Sequence, residues 1–361
     1  MRSDAVSGAW RDAVALTSGG AVIEGPLKGY HHETYVIPLA VDDIAATARW
    51  KCREPRPGLF WYDRRCFASE DELVRALAGR VTRIPPVFDS GSGLTLQGFI
   101  EGVTLGARHP SGKTVPGRLV DQILDVFREL AVIDPSSVPI RRTCSPQDMP
   151  ADGETGPFLD RLIHFIESRV YQPHIAEFGS LFHELGVDDR SFKRLHVLAD
   201  RMHTRPFSLL HADLHRENLV IDHRRQLWVI DWELAMFGDP LYDLATHLYL
   251  MRYPVWQRHR LCERWCATVE RVREGASFGW REDLPLLLDY KRAQSVFTDV
   301  IRGALTLRDA SAASLEAQLA ETGLRLHRVL RRAREPLGLT CPPRVEEVVG
   351  ALRRWLASHA D

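Results

Sequence analysis

The stretch His211-Ala-Asp-Leu-His-Arg-Glu-Asn218, followed by Asp231-Trp-Glu233, predicts how the rest of the chain is arranged. Between the two segments, residues 219–221 and 227–230 form short apolar runs on either side of a polar turn, which is typical of a β-hairpin. The two aspartates and the asparagine therefore fall at strand ends, where loops meet a rigid frame. We expect the chain to fold around this hairpin.

The composition is that of an ordinary globular chain. It has 361 residues, a formal net charge of −1 at pH 7 and 26% charged residues. This length suffices for one large domain or two unequal lobes with a buried core. Because there is no basic excess, neither nucleic acid nor an anionic membrane is an expected partner. The six cysteines are scattered without paired CxxC spacings, which favours free thiols over a zinc site.

The N-terminal segment has no apolar run typical of a signal peptide. No later stretch approaches the roughly 18 apolar residues that a membrane span needs. A cytoplasmic protein is the expectation.

Strands dominate the first hundred residues. Residues 21–39 predict a strand, a turn with Gly25 and Gly29, and a second strand. Glycines in such a turn permit close approach to a ligand, but the full G-x-G-x-x-G pattern is absent, so a plain hairpin is favoured over a phosphate-covering loop. Residues 45–53 predict a further strand around Lys51, one of only five lysines among 47 basic residues. A lysine in a strand is more often a solvated edge residue, and a functional role needs an acidic partner.

That partner has a candidate in the next helix. Ser69 can cap a helix that ends at Gly79, and its apolar positions 73, 74 and 77 share one face. Glu70 lies three, four and seven residues before these positions, so it is predicted on the same inward face. Glu72 points elsewhere and ranks second as a partner for Lys51.

The order of elements predicts the fold class. Residues 84–88 and 94–102 predict strands, and glycines flank Phe99-Ile100-Glu101, which we interpret as a hinge at 98–102. Helical patterns follow at 117–133, 158–178 and 191–202, and most of the remainder is also helical. Strands first and helices later predict an α+β chain with a small β-rich lobe at 1–101 and a larger helical lobe at 102–361.

The residue types around the hairpin suit phosphoryl transfer. That chemistry requires a positioned hydroxyl and metal ions that neutralise phosphate charge. A carboxylate can accept the hydroxyl proton, and oxygen ligands suit magnesium. The spacing H-x-D-x-x-x-x-N, then a hairpin, then D, is the pattern of a kinase catalytic loop and its metal-binding aspartate.

Three segments together resemble the aminoglycoside phosphotransferase and choline kinase family of small-molecule kinases. They are residues 211–218, Ile230-Asp-Trp-Glu-Leu-Ala and Gly238-Asp-Pro-Leu-Tyr-Asp-Leu-Ala245. The resemblance implies a protein-kinase-like bilobal fold, with ATP or GTP bound between the lobes and a small hydroxyl acceptor bound by the helical lobe. It spans roughly residues 25–245.

The resemblance also implies residue roles. Asp213 would be the catalytic base, and Asn218 and Asp231 would be the Mg²⁺ ligands. Lys51, paired to Glu70, would contact the α and β phosphates. The nucleobase would meet the backbone of the hinge residues, which are Gly98, Phe99 and Ile100.

Several neighbouring residues keep two interpretations. His211 is expected to brace the loop rather than to react, because that is its place in this fold. His215 either contacts substrate or metal-bound phosphate or is an ordered loop residue. Glu233 faces the metal or the acceptor, or is solvated, and Asp243 braces the loop or caps its helix.

Two positions depart from the family pattern. Arg216-Glu217 stands where many relatives carry a proline-glycine pair, which leaves open whether Arg216 enters the acceptor site. Gln97 is polar where an apolar residue is expected, so use of GTP stays conceivable.

The expected function is transfer of the nucleotide γ-phosphate to a hydroxyl of a small molecule, such as an antibiotic. From Glu321 to Asp361 there are eight arginines against five acids, which disfavours a polyamine-like aminoglycoside as acceptor; a neutral or anionic natural product, for example a nucleoside or peptide antibiotic, fits at least as well. The alternatives are a metabolic kinase of a choline- or homoserine-like alcohol and a non-catalytic nucleotide-binding module. A protein kinase is disfavoured because no A-P-E motif follows Asp231.

Overall fold

The structure, a computed structural model, describes residues 7–17, 22–27, 29, 31–39, 48–57, 61–90, 94–144 and 149–359. The strands are β1 (His32–Leu39), β2 (Ala48–Pro55), β3 (Val87–Asp89), β4 (Thr95–Gly98), β5 (Val103–Thr104), β6 (Ser208–Leu210), β7 (Leu219–Ile221), β8 (Leu227–Val229) and β9 (Met236–Gly238). The helices are α1 (Gly8–Leu16), α2 (Glu70–Leu77), α3 (Leu105–Arg108), α4 (Gly117–Ala131), α5 (Thr155–Phe165), α6 (Ile175–Glu184), α7 (Arg190–Ala199), α8 (Pro240–Met251), α9 (Val255–Glu270), α10 (Trp280–Arg308), α11 (Leu315–Arg332), α12 (Arg334–Leu337) and α13 (Val345–Ser358). The predicted α+β class, with an N-terminal antiparallel sheet and a helical C-terminal region, is confirmed.

The N-terminal sheet places Lys51 at its centre. Its strand order is β1-β2-β4-β3, all antiparallel, and Lys51 lies opposite Gln97 of β4. Successive side chains of a strand point to opposite faces. Trp50 and Cys52 accordingly pack in a small apolar cluster with α1, while Lys51 and Arg53 share the other face. Lys51 is therefore an interior-strand residue and not a solvated edge residue.

Helix α2 forms as its sequence predicts. The Ser69 hydroxyl accepts a hydrogen bond from the Glu72 amide at 3.2 Å, which caps the first turn. Leu73, Val74 and Leu77 are buried, Glu70 shares their face, and Glu72 is exposed. The amphipathic spacing thus brings one carboxylate beneath the sheet.

The hairpin of β7 and β8, which connects Asn218 to Asp231, lies on the helical side of the molecule. Strands β7 and β8 pair as predicted, and β5 joins them through Val103 opposite Ile221. Strands β6 and β9 form a second small antiparallel pair. One large apolar core reaches from Tyr62 to Trp355, so this hairpin rests on the packed helices.

Differences from the expected elements are local. A π-helical turn (Ile166–Tyr171) and a 3-10 turn (Gln172–His174) interrupt the helix expected over 158–178. Strands β5 and β9 have two and three residues, too few to show a periodicity in sequence. Some residues for which the sequence predicts a strand, a turn or a loop lie outside the described residues. They are 1–6, 21, 28, 30, 45–47, 91–93 and 145–148.

Among the helices of the described residues, none combines the length and the apolar character required to cross a membrane.

Candidate active site

Asp213 stands at the centre of the catalytic loop, half-buried and open on one side. The Asn218 side-chain amide donates to the Asp213 carbonyl at 3.0 Å and to its Oδ2 at 3.1 Å. His215 Nε2 lies 3.4 Å from the same Oδ2. These contacts fix one oxygen of the carboxylate.

Asp243 holds the backbone of the loop from helix α8. Its two carboxylate oxygens accept the His211 amide at 3.0 Å and the Ala212 amide at 2.8 Å. Ala212 has φ +61°, a left-handed conformation that is uncommon for a residue with a side chain. Asp239, not Asp243, caps α8 by accepting the Leu241 amide at 2.9 Å. The buried carboxylate of Asp243 therefore braces the loop, the first of its two interpreted roles.

His211 ties the loop to the strand that leads into Asp231. It is fully buried; its Nδ1 accepts the Asp213 amide at 3.3 Å and its Nε2 lies 3.2 Å from the Ile230 carbonyl. Burial lowers the pKa of His211 to about 4, which leaves the ring neutral. A neutral imidazole whose two nitrogens are both occupied is a structural brace, as expected.

Asp231 and Asn218 are the oxygen donors suited to a divalent cation. The Ile230 amide donates to the Asn218 carbonyl at 3.0 Å, which places the two residues side by side. Carboxylate oxygens of Glu70, Asp231 and Glu233 lie within 4.8 Å of one another. Asp231 is exposed to solvent on one side, and protein atoms surround the rest of its carboxylate. This partial enclosure, and after it the charges of Glu70 and Glu233, raises the pKa of Asp231 to about 7. An Mg²⁺ ion would relieve that crowding of negative charge, so the donor set fits the metal.

The partner of Glu70 differs from the expected one. Arg53 Nη1 lies 2.5 Å from Glu70 Oε2, while the Trp232 amide donates to Glu70 Oε1 at 3.1 Å. Lys51 Nζ instead donates to Gln97 Oε1 at 3.2 Å, and Gln97 Nε2 donates to Glu70 at 3.2 Å. The predicted Lys51–Glu70 ion pair is therefore wrong for this structure. Its physical reason is that Arg53, two residues along on the same face, brings a bidentate guanidinium to Glu70 and neighbouring Asp71.

Lys51 has a neutral hydrogen-bond partner in place of the expected carboxylate. Burial lowers the pKa of Lys51, while Glu70 and Asp231 are close enough to oppose the shift. Within the described ranges, no carboxylate oxygen comes within 4 Å of its ammonium.

The hinge offers one free amide. The Gly98 amide donates to the Pro86 carbonyl and the Phe99 amide to the Arg49 carbonyl, both at 2.8 Å. The Ile100 amide has no acceptor in the described part of the protein. Of the three expected hinge residues, Ile100 is therefore the one with a backbone donor left for a nucleobase.

Arg216 does not enter the acceptor site. Its side chain is 4% exposed and donates to the backbone carbonyls of Met251 at 3.0 Å, Lys113 at 2.9 Å and His109. The guanidinium also lies over the Tyr253 ring. The open possibility of an acceptor contact is thus closed, because all of its donor directions point into the helical core.

Glu233 is held by the N-terminal sheet, which the sequence did not reveal. His32 Nδ1 lies 2.6 Å from its Oε1 and His31 Nδ1 lies 3.2 Å from its Oε2. His31 in turn stacks on Trp61 with ring centroids 4.1 Å apart. The histidines lower the pKa of Glu233 despite its burial. Glu233 therefore connects β1 to the segment that contains Asp231. It is not among the residues that line the pocket described next.

A small pocket with a cavity volume of about 10 Å³ lies beside the loop that carries Asp213. Ala212 forms part of its wall, next to Asp213, and the apolar part comes from α5 and from Leu234 and Met236. Its polar lining consists of Asp63, Arg64, Tyr242, Tyr290 and Gln294. Because it adjoins the candidate base, this is the place where an acceptor hydroxyl could approach.

Comparison with solved structures shows the same fold at low identity. The choline kinase LicA from Streptococcus pneumoniae aligns with a TM-score of 0.52 and 14% identity, covering 90% of this chain and 98% of that one. A Plasmodium vivax ethanolamine kinase gives 0.51 and 14%, covering 88% and 83%. A thermostable mutant of the aminoglycoside phosphotransferase APH(4)-Ia, in a ternary complex with ADP and hygromycin B, aligns more weakly, with a TM-score of 0.46 and 16% identity over 99% of this chain and 100% of that one, and carries no weight for the fold.

The sequence itself matches a family but no individual curated protein. No curated protein matches it significantly. The model of the phosphotransferase enzyme family matches residues 24–282, more than half of the chain and every site residue that the sequence predicts. The chain therefore belongs to the phosphotransferase enzyme family and is a small-molecule kinase.

Proposed function

We propose that this kinase transfers the γ-phosphate of a nucleoside triphosphate to a hydroxyl of a neutral or anionic natural product, such as a nucleoside or peptide antibiotic. The observation that carries the proposal is the position of Asp213. Asn218 and His215 contact its Oδ2, and the preceding residue, Ala212, lines the small pocket beside the loop. A hydroxyl in that pocket can give its proton to Asp213 as the phosphorus–oxygen bond forms.

The remaining residues would bind and orient the nucleotide. Asn218 and Asp231 would hold Mg²⁺, which supplies neutralisation of phosphate charge when bound. Lys51 would contact the α and β phosphates, and the Ile100 amide would meet the nucleobase. His215 keeps Asp213 in place, and its pKa is raised because Asp213, Asp231 and Glu217 outweigh the effect of burial.

ATP is the proposed donor. The reason to consider GTP was the polar Gln97 next to the hinge. In the structure Gln97 is 1% exposed, and both ends of its amide are engaged by Lys51 and Glu70. It is therefore not free to select a base.

We also propose a division of the chain into two lobes and a cellular location. The chain divides into a nucleotide-binding lobe at 1–101 and a helical lobe at 102–361 that carries the catalytic loop and the acceptor site. The protein works in the cytoplasm, where ATP is at hand. A role in antibiotic resistance follows if the natural acceptor is an antibiotic.

Mass spectrometry of acceptor panels with ATP and GTP tests the proposal. The panel contains nucleosides, peptide antibiotics, aminoglycosides and small alcohols such as choline and homoserine. The expected result is a mass increase of one phosphoryl group on a neutral or anionic compound, abolished by Asp213→Asn. Nucleotide binding without any phosphorylated product would support a non-catalytic module instead.

A further inference from the structure

Two cysteines from distant parts of the chain lie side by side. Phe67 forms an isolated antiparallel bridge with Arg142, and the Thr143 amide donates to the Cys66 carbonyl at 3.0 Å. Directly opposed residues of such a pair have Cα atoms about 4.5–5.5 Å apart. Cys144 follows Thr143 in the chain, so its backbone lies next to that of Cys66. A disulfide spans Cα separations of roughly 4.4–6.8 Å, and this backbone arrangement therefore suits one.

The two side chains also contact each other. The Cys66 thiol donates a hydrogen bond to the Cys144 sulfur, and both residues are free cysteines. Cys66 is buried, whereas Cys144 is partly exposed. A small reagent that arrives from solvent therefore meets Cys144 first, with the second thiol directly behind it.

Positive charge favours the thiolate of Cys144. The hydrogen bond from Cys66 lowers the pKa of Cys144 to about 6, and burial only partly opposes this shift. The guanidinium groups of Arg64 and Arg142 act in the same direction. Arg142 donates to the Pro135 carbonyl at 2.8 Å, an uncharged partner that leaves its positive charge uncancelled. The same sulfur contact, together with burial, raises the pKa of Cys66, so a thiolate and a thiol lie together.

The other four cysteines have different surroundings. Burial raises the pKa of Cys52 and of Cys262 to about 11, so these thiols stay protonated at neutral pH. Cys266 donates to the Ser277 hydroxyl at 3.2 Å. Cys341 is exposed. These residues are internal controls for the reactivity of the pair, since the thiolate is the reactive form of a cysteine.

We propose that Cys66 and Cys144 form a redox modification site, at which a hydroperoxide converts the two thiols into a reversible disulfide. The Cys144 thiolate attacks the peroxide; an S–O bond forms, the O–O bond breaks, and the leaving alkoxide takes a proton from solvent. Cys66 then loses its proton and attacks the Cys144 sulfenic acid; the S–S bond forms and hydroxide leaves, taking up that proton as water. The two cysteines lose two electrons, and the hydroperoxide is reduced to an alcohol and water.

This modification goes beyond phosphoryl transfer but acts near it. Asp63 and Arg64 line the pocket beside the loop of Asp213 and lie just before Cys66 in the chain. A bond between Cys66 and Cys144 would tie this wall of the pocket covalently to the segment that follows α4. The redox state of the pair would thereby restrain the residues on one side of the pocket.

Peptide mapping of the wild-type protein tests the proposal. The fully reduced protein is treated with an equimolar amount of hydrogen peroxide, alkylated with N-ethylmaleimide and digested without reductant. Trypsin releases Cys66 within residues 66–75 and Cys144 within residues 143–161. The expected product is one peptide that joins these two segments, from a protein whose intact mass is lower by two hydrogens. Dithiothreitol should separate them again.

Variants assign the two roles. Cys66→Ser should stop the reaction at the sulfenic acid of Cys144, which dimedone traps. Cys144→Ser should give no linked peptide and no dimedone on Cys66. Cys341→Ser removes an exposed cysteine outside the pair and is the matched control, so it should form the linked peptide as wild type does.

Each outcome supports or overturns the proposal. Wild-type protein in which both thiols stay reduced, or in which Cys341 is oxidised while they are not, would overturn it. Dimedone on Cys66 in the Cys144→Ser protein would overturn the assigned order of attack. The wild-type map decides the linkage even if a variant fails to fold. Because the readout is mass, failure to phosphorylate any acceptor would refute the proposed function and leave this proposal standing.

Discussion

Arg53 and Glu70 form a 2.5 Å ion pair in which a guanidinium of β2 neutralises the one carboxylate that α2 turns inward. Their side chains are 15% and 4% exposed, so the pair is largely removed from water. Glu70 also accepts a hydrogen bond from the Trp232 amide. The pair therefore connects the N-terminal sheet and helix α2 to the segment that contains Asp231 and Glu233. The neighbouring Lys51 instead donates to Gln97 Oε1 at 3.2 Å.

Substitution of the two strand cations should separate stability from nucleotide binding. Arg53→Met leaves Glu70 as a buried carboxylate without its partner, so the free energy of unfolding should fall by about 3–5 kcal/mol. Lys51→Met breaks no ion pair in the described structure, so the loss should stay below about 1 kcal/mol while ATP affinity falls about tenfold or more. Urea unfolding and calorimetric titration with ATP measure the two effects. A larger stability loss in Lys51→Met than in Arg53→Met would contradict the observed pairing.

Asp213→Asn should abolish most of the turnover without harming the fold. The amide keeps the size of the side chain but cannot accept the hydroxyl proton, so kcat should fall by about two orders of magnitude or more. Steady-state kinetics with the best acceptor measures this. Asp125→Asn, on the partly exposed surface of α4, is the matched control, and activity in Asp213→Asn close to that of the control would exclude Asp213 as the base.

His247 should make the protein less stable as the pH falls below 6.5. Burial lowers the pKa of His247 to about 4, and its Nδ1 lies 2.7 Å from the Leu214 carbonyl. Above pH 6.5 the His247 ring is neutral in both the folded and the unfolded protein. Below pH 6.5 this ring binds a proton in the unfolded chain, whereas in the folded chain it stays neutral until the pH approaches 4. This one residue should lower the free energy of unfolding by about 2 kcal/mol at pH 5 relative to pH 7.5.

The measurement compares urea unfolding of wild type and His247→Gln at both pH values. His211 contributes in the same direction and Asp243, whose pKa burial raises to about 6, in the opposite one, so the difference between the two proteins isolates His247. His223→Gln, in the exposed turn after β7, should behave as wild type. Equal pH dependence in all three proteins would show that His247 titrates normally.

Removal of the Arg205 charge should lower the free energy of unfolding more than removal of most other charges. Its side chain is fully buried and lies 2.8 and 2.6 Å from the two oxygens of Asp239 and 2.7 Å from Asp283. Arg205→Met would leave two buried carboxylates uncompensated, so unfolding should become easier by about 3–5 kcal/mol.

The control for Arg205 is a solvated arginine. Arg281 and its partner Glu263 are 63% and 59% exposed, and Arg281→Met should therefore cost less than about 1 kcal/mol. Denaturant midpoints of the two variants provide the comparison, and similar values for both would refute the assigned difference.

The catalytic loop could be predicted from sequence because its information is local. The spacing of Asp213, Asn218 and Asp231 around an apolar hairpin specifies their positions at strand ends, and the face of α2 specifies the inward carboxylate of Glu70. The fold class followed from the order of strands and helices. Even the Arg53–Glu70 pair was accessible in principle, because residue 53 shares a strand face with residue 51.

The remaining features depend on contacts between distant segments. Nothing in the neighbourhood of Glu233 indicates that His31 and His32, two hundred residues earlier, would hold it. The role of Arg216 stayed open in the sequence, because its burial depends on carbonyls of two distant segments, the loop with His109 and Lys113 and the end of α8 at Met251. Tyr290 and Gln294 lie in a long helix whose sequence alone does not show which turns line the pocket.

Asp243 brings a broader consequence. It fixes the backbone of the loop from within α8, and Tyr242, the residue before it, lines the pocket together with Asp63, Arg64, Tyr290 and Gln294. The first turn of α8 therefore serves both the support of the loop and the wall of the pocket. Substitutions at Tyr290 or Gln294 of α10 should change the pocket with less effect on the loop than substitutions in α8.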